Sequence, residues 1–381
     1  MIFPLHKPQR LPDDHRQNIG RALIKMRDIV KTFDTPVGSF TALKEINTEF
    51  QRGEFVAVVG KSGSGKSTLA NMLTGIDRPT SGEVEIGGTD IHRLSESKMA
   101  KWRGLNLGIV FQFYQLMPML SLYENVLLPM QIAGRYTLAE RQKRAKELLA
   151  MVDLEKEAHQ MPAEVAGGQQ QSAAIARALA NDPPLIVADE PTGNLDSGAA
   201  NTIFNIFEDL SRQGKTIVMV THDNELAQRA TRKLLIADGE IIDESVAKAL
   251  PLLTHQQMLS ATRQIQVLAY KPDQLILQDG QDKEKFFIIR NGQVQVSFQD
   301  KNHINKTTTN LSSGEYFGEA VFQLNGWRSE ISLHAIAKDE VEVLALPSQF
   351  FLELMADAND MRQEIVHSTH QTLNNHGKVS L

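Results

Sequence analysis

Up to Asp243, short continuous apolar runs alternate with stretches of helical spacing. Phe55 to Val59 (FVAVV) is a β-branched run of the kind that a strand buried on both faces requires, and Leu185 to Ala188 (LIVA) and Ile217 to Val220 (IVMV) repeat it. Between these runs, residues 138–152 and 169–180 place apolar side chains at helical intervals. Residues 22–46 alternate apolar with polar and predict short strands, and 233–243 (KLLIADGEIID) predicts a hairpin turning at Asp238-Gly239. This is the rhythm of a parallel α/β sheet. After Asp243 the pattern changes. A T-x-x-Q capping box (Thr254, Gln257) opens a short helix, and alternating strands punctuated by glycine turns follow at 286–290, 293–298, 331–335 and 341–346. Helical periodicity returns from 348 to 375, so a second, all-β domain with flanking helices is expected.

The chain has 381 residues, enough for two or three domains, and its 41% hydrophobic and 23% charged residues are those of a globular protein. Lys plus Arg number 40 against 46 Asp plus Glu, a net charge of −6, so no overall basic field favours nucleic acid, and no nucleic-acid partner is expected. The absence of cysteine excludes disulfides, thiolate metal sites and cysteine nucleophiles. Residues 1–20 lack the apolar core of a signal peptide, so secretion is not expected. The longest apolar stretch, 107–133, is broken by Gln112, Gln115, Pro118, Glu124, Asn125, Pro129 and Gln131, so any membrane role is peripheral.

The densest chemistry follows the first buried run. Gly60, Lys61, Ser62, Gly63, Ser64, Gly65, Lys66, Ser67 and Thr68 read GKSGSGKST and match G-x-x-x-x-G-K-[ST] directly after a predicted strand. Glycines let main-chain N–H groups close around phosphate oxygens, and the following helix presents its N-terminus to the anion. Lys66 then reaches the β and γ phosphates and Ser67 ligates Mg²⁺. Downstream, LIVADE puts Asp189 and Glu190 at the C-terminal end of a buried strand, where an α/β sheet places its chemistry. By itself an acidic pair there is more often a solvated strand end. Its order after the phosphate loop gives it a division of labour: Asp189 holds Mg²⁺ through water and Glu190 orients or deprotonates the attacking water.

Ala166 to Gln171 (AGGQQQ) leads into a helix and forms a second glycine-helix junction suited to an anion. Together with Gln112 in VFQ, NLDS at 194–197 and THD at 221–223, these motifs make residues 22–246 resemble the ATPase subunit of an ABC transporter. RPTSGEV at 78–84, ENV at 124–126 and ADEPTGNLDS at 188–197 are similar to the lipoprotein-release and macrolide-export branch of that family. The resemblance implies an α/β P-loop ABC ATPase domain with a helical subdomain. It implies a homodimer sandwiching two ATP molecules, each between the P-loop of one subunit and the signature of the other, Ala166, Gly167, Gly168 and Gln169, with Asp196 nearby. It further implies that Phe33 stacks on adenine, that Gln112 touches Mg²⁺ or the attacking water and reports to an integral-membrane permease, and that His222 bonds the γ-phosphate and holds Glu190. The Met- and Leu-rich stretch 115–130 is either a groove for a permease helix or plain core of the helical subdomain.

One departure matters. The family signature carries serine where this chain has Ala166, and arginine and a larger apolar residue where it has Ser172 and Ala173. A serine hydroxyl on the γ-phosphate is worth about 1.5–3 kcal/mol, so its loss implies a slower ATPase rather than an inactive one.

Residues 254–381 resemble a cyclic nucleotide-binding domain, a β-roll with flanking helices. The resemblance rests on YFGEA at 316–320, on the spacing from Glu319 to Arg328-Ser329, and upstream on Gly280, FFIIRNGQVQV and Gly314. Arg328 suits a cyclic phosphate through paired donors, Glu319 accepts from a ribose 2′-OH, and Gly318 with neighbouring amides completes the cradle. Ser329 is compatible with cAMP or cGMP. Glu330 points to solvent if the alternation of 331–335 extends back to it, and Ser368 and Thr369 are either base contacts or surface polar residues.

The expected protein is therefore an ATP-hydrolysing subunit docked peripherally on the cytoplasmic face of the membrane. Residues 1–21 extend it at the N-terminus, 22–246 form the ATPase, 247–253 link, and 254–381 sense a cyclic nucleotide. A soluble nucleotide-sensing regulator with a weakened ATPase and no permease is the alternative.

Overall fold

Phe55–Val59 is a strand buried along its whole length. It lies third in a six-stranded sheet ordered Glu240–Ile241, Arg232–Ala237, Phe55–Val59, Thr216–Thr221, Leu185–Asp189 and Leu107–Val110. This is a computed structural model, which describes residues 22–36, 38–278, 285–300, 306–318, 321, 324 and 331–375. Neighbouring strands pair in parallel except for the edge hairpin. That hairpin turns where the sequence placed it, with Asp238 at φ 49° and Gly239 at φ 79°, the two left-handed residues of a type I′ turn.

Alternate side chains of these strands serve two cores. Val56, Val58, Val218 and Val220 pack with Leu69, Met72 and Leu73 of the helix Lys66–Thr74. Phe55, Ile217 and Met219 pack with Phe204 and Phe207 of the helix Ser197–Arg212. Both faces of the sheet are covered, which is why its strands read as continuous apolar runs.

Residues 22–51 form two long strands, Ala22–Thr35 and Gly38–Gln51, in an antiparallel sheet completed by Ser81–Ile86 and Thr89–Asp90. The sequence predicts short strands here because the ladder shifts register between Met26 and Ile29 and again near Lys31, interrupting the alternation. The helices Leu122–Ile132, Leu138–Met151 and Gly167–Ala178 share the core that contains Phe55, through Val126, Met130, Leu148, Leu149, Ala173 and Ala176. Capping boxes at Ser121/Glu124 and Thr137/Glu140 start the first two. The stretch 115–130 divides: Leu122, Val126, Leu127 and Met130 are core, whereas Met117 and Met119 are exposed.

The chain separates after Ile241 into two compact units. In the second, one antiparallel sheet orders Gln266–Tyr270, Val341–Pro347, Lys285–Asn291 and Tyr316–Phe317, and the other orders Leu275–Leu277, Ile331–Ala337, Val294–Asp300 and Lys306–Leu311. Phe287, Ile289, Val294, Val296, Leu333, Val341 and Val343 fill the space between them, making the β-roll. The flanking helices are Glu244–Ala249, His255–Gln264, Ser348–Ala356 and Asn359–Asn375. Thr254 and Gln257 form the expected capping box. Segment 242–253 groups with this unit, and Asp243 caps the first of these helices while pairing with Arg290.

Candidate nucleotide-binding and catalytic site

Sheet register gathers the site. Val59 stands beside Thr221, Asp189 beside Val220 and Val110 beside Ala188. The chain therefore leaves the sheet at one edge four times, towards Gly60, His222, Glu190 and Gln112.

The phosphate loop needs its glycines for two separate reasons. Gly63 and Gly65 lie at φ 78° and 105°, where a side chain is strained. A Cβ on Gly60 would strike the Ile236 carbonyl and lie 2.5 Å from the Ser64 hydroxyl oxygen. That hydroxyl oxygen is buried without a partner among the described residues. Lys66 is 6% exposed and donates to the carbonyls of Gly60 (2.9 Å) and Lys61 (3.0 Å), so its ammonium lies within the loop. Ser62, Gly63 and Ser67 are exposed on the rim, and Thr68, third residue of the helix, is half-buried.

The Ser67 hydroxyl donates to Asp189 Oδ1 at 3.2 Å. Burial pushes the Asp189 carboxyl above the usual carboxylate range, and the neighbouring Glu190 charge adds to that while the Ser67 bond opposes it. An oxygen donor pair that is costly to keep charged and unpartnered fits a hard cation such as Mg²⁺. Glu190 Oε2 accepts from Gln112 Nε2 at 3.3 Å and faces His222 Nδ1 at 3.4 Å. Glu190 itself sits at φ 46°, its amide donating to the Val220 carbonyl. The three residues named for water activation and γ-phosphate contact are thus brought together.

The helix Gly167–Ala178 starts without a side-chain cap at Ala166, and Gln169 Oε1 accepts from the Ala166 amide at 3.0 Å. A Cβ on Gly168 would lie 3.4 Å from Ala199, so the start of this helix adjoins the start of the one capped by Asp196. Ser172 and Ala173 are buried against the helical core. Phe33 is 38% exposed, with the Lys31 ammonium 4.8 Å from its ring centre.

Three residues around Gln112 carry a role that sequence reasoning did not assign, although ENV and NLDS contain two of them. Arg177 donates to the carbonyls of Tyr114 (3.0 Å) and Gln115 (2.5 Å). Buried Asn125 donates to the carbonyls of Met117, Leu120 and Ser121 and accepts from the Met117 amide. Asn194 donates to the Gln112 carbonyl at 3.4 Å.

In the second unit a cavity of about 150 Å³ is lined by Phe298, Thr309, Leu311, Tyr316, Phe317, Gly318, Ser368 and Thr369, among others. Gly318 has φ 139°, and a Cβ there would lie 2.8 Å from the Lys285 carbonyl. Tyr316 hydrogen bonds Ser368 of the last helix across the cavity, and burial raises its pKa. Glu319, Arg328, Ser329 and Glu330 lie outside the described residues.

Fold and site define a P-loop ATPase cassette followed by a β-roll. Residues 43–193 match the ABC transporter family and 267–358 the cyclic nucleotide-binding domain family. The lipoprotein-releasing system ATP-binding protein LolD 1 of Chlorobium chlorochromatii is 44% identical over 202 residues, 53% of this chain and 82% of the relative. The macrolide export ATP-binding/permease protein MacB of Hyphomonas neptunium is 44% identical over 223 residues, 58% of this chain but 34% of the relative, so this chain spans about a third of that longer protein. The ATP-binding cassette MJ0796, whose name is shared by a Methanocaldococcus jannaschii relative, was solved as a dimer in a post-hydrolysis state bound to ADP and Pi. It superposes with a TM-score of 0.55 at 42% identity, covering 58% of this chain and 97% of that one. The chain belongs to the ABC transporter ATP-binding proteins, with a C-terminal domain of the cyclic nucleotide-binding family.

Proposed function

We propose that the chain is the ATP-hydrolysing subunit of an ABC transporter, working as a homodimer that drives an integral-membrane permease from its cytoplasmic face. The observation that carries this reading is Glu190, whose carboxylate is held between Gln112 and His222 one residue past Asp189 and its Ser67 partner. Lys66, the loop amides and the N-terminus of the helix Lys66–Thr74 hold the phosphates. Glu190 orients the attacking water and accepts its proton, with Gln112 and His222 fixing the carboxylate. Magnesium would be held by Ser67 and Asp189, with Gln112 beside it, and neutralises charge on the phosphate oxygens when bound. The signature helix, Ala166 to Gln169, serves the partner copy's ATP, and Phe33 stacks on adenine.

The dimer reading is supported by MJ0796, and the permease reading by relatives named for lipoprotein release and macrolide export. Phe113 (68% exposed) and Met119 (84%) lie on the loop after Gln112 and suit an adaptable apolar docking surface. Among the described residues no helix is long and apolar enough to cross a membrane. Steady-state ATP turnover tests the reading. Glu190→Gln is expected to bind ATP and lose about 10²–10⁴-fold in kcat, and Lys66→Ala to lose ATP affinity; turnover near wild type in the first, or unchanged affinity in the second, refutes the assignment.

The β-roll is proposed to bind cAMP or cGMP and to regulate this cycle. Thr309, Ser368 and Thr369 with the aromatic Phe298 and Phe317 line a cavity beside Gly318, which suits a ligand with a flat base and a polar ribose phosphate.

A further inference from the structure

The loop that carries Gln112 runs along the helix Gly167–Ala178, bonded to it at two places and touching it at a third. Gln171, 1% exposed, donates from Nε2 to the Phe111 carbonyl at 3.4 Å. The Tyr114 hydroxyl lies against the helix start, 2.7 Å from where a Cβ on Gly167 would be. Arg177 closes the far end through the Tyr114 and Gln115 carbonyls. Gln115 is in the left-handed region at φ 47°, which costs an ordinary residue about 1–2 kcal/mol. Such a turn persists only where its surroundings over-determine it.

We propose that Arg177 is a positioning residue for hydrolysis: its guanidinium fork fixes residues 111–115 to the signature helix, so that the place of this helix sets the Gln112–Glu190 contact. The inference rests on the ATPase reading above. Three observations carry it. The two carbonyls held are those immediately beyond Gln112 and Phe113, and one of them belongs to the strained residue itself. A planar fork spans two carbonyls at once, which a point donor does not. Finally, burial lowers the Arg177 pKa, so its hydrogen bonds are made by a cation held where charge is costly, and packing alone would be served as well by an apolar side chain.

The test compares the full chain with Arg177→Met and Arg177→Lys in two measurements. In amide hydrogen exchange without nucleotide, Arg177→Met is expected to speed exchange of peptides covering 111–117 tenfold or more while the strands Leu107–Val110 and Phe55–Val59 keep their protection. In kinetics, kcat is expected to fall tenfold or more with the ATP dissociation constant within twofold of wild type. Arg177→Lys is expected to restore less than half of kcat. Unchanged exchange over 111–117, a retained kcat, or protection lost evenly across the chain would overturn the proposal. If wild type and Lys66→Ala turn over ATP equally slowly, the ATPase reading fails, while the exchange comparison still decides whether Arg177 holds the loop.

Discussion

A methyl group on Gly167 and the hydroxyl of Tyr114 compete for one position, 2.7 Å apart. Gly167→Ala must therefore displace Tyr114, and with it the segment that carries Gln112. The expected outcome is a severalfold fall in ATP turnover, partly restored by Tyr114→Phe, which removes the clashing oxygen. The double-mutant cycle should show an interaction energy of about 0.5–3 kcal/mol; additive single effects would mean that the two sites act independently.

Asp189 gives a pH signature. Its folded carboxyl binds its proton more tightly than an unfolded one because it is buried beside Glu190. Between the unfolded and folded pKa values the native state carries the extra proton, so stability declines as pH rises through that window. Asp189→Asn removes this loss and should stabilise the nucleotide-free chain by about 0.5–2 kcal/mol at neutral pH. Thermal melts across acidic to neutral pH should show the gap over wild type widening as pH rises and then levelling. A gap that is flat or of opposite sign would contradict the burial argument.

Phe33 is expected to contribute to ATP affinity rather than to chemistry. Base–aromatic stacking is worth about 1–3 kcal/mol, so Phe33→Ala should weaken ATP binding about 5- to 150-fold with kcat at saturation little changed. Equilibrium titration of a fluorescent ATP analogue reads this directly. Unaltered affinity would return Phe33 to the sheet packing it shares with Phe40, its cross-strand neighbour.

Calorimetric titration of cAMP and of cGMP decides the role of the roll. Binding in the micromolar range that is abolished by Arg328→Ala and weakened by Ser368→Ala is the expected result. A folded domain with no heat of binding for either nucleotide would make it a scaffold. If binding occurs, its coupling to ATP should be reciprocal, each ligand changing the other's affinity by the same factor, commonly 5- to 150-fold.

Much of this was legible in the sequence, and the remainder was hidden for a physical reason. The P-loop, Asp189-Glu190 and the hairpin at Asp238-Gly239 announce themselves because side-chain type and backbone need coincide there. Arg177, Asn125 and Asn194 carry no role legible in the sequence, the last two standing there only as members of ENV and NLDS, because their partners are main-chain groups, which every residue offers. The helix that was expected from Gln169 begins at Gly167, since the first N–H groups of a helix require no particular side chain. Leu107–Val110 was passed over as a strand because it follows the helix Glu96–Asn106 without a break, so only its pairing with Leu185–Asp189 reveals it.

The split within 115–130 also bears on how the purified protein will behave. Phe113, Met117 and Met119 crowd water-facing apolar surface onto one short loop. Kosmotropic salts favour the burial of such surface, so sulfate should drive the isolated chain to self-associate at concentrations where chloride leaves it dispersed. Replacing Met119 by Gln should raise that threshold, which makes the solubility curve a gauge of how much of this rim is ordinarily hidden from water.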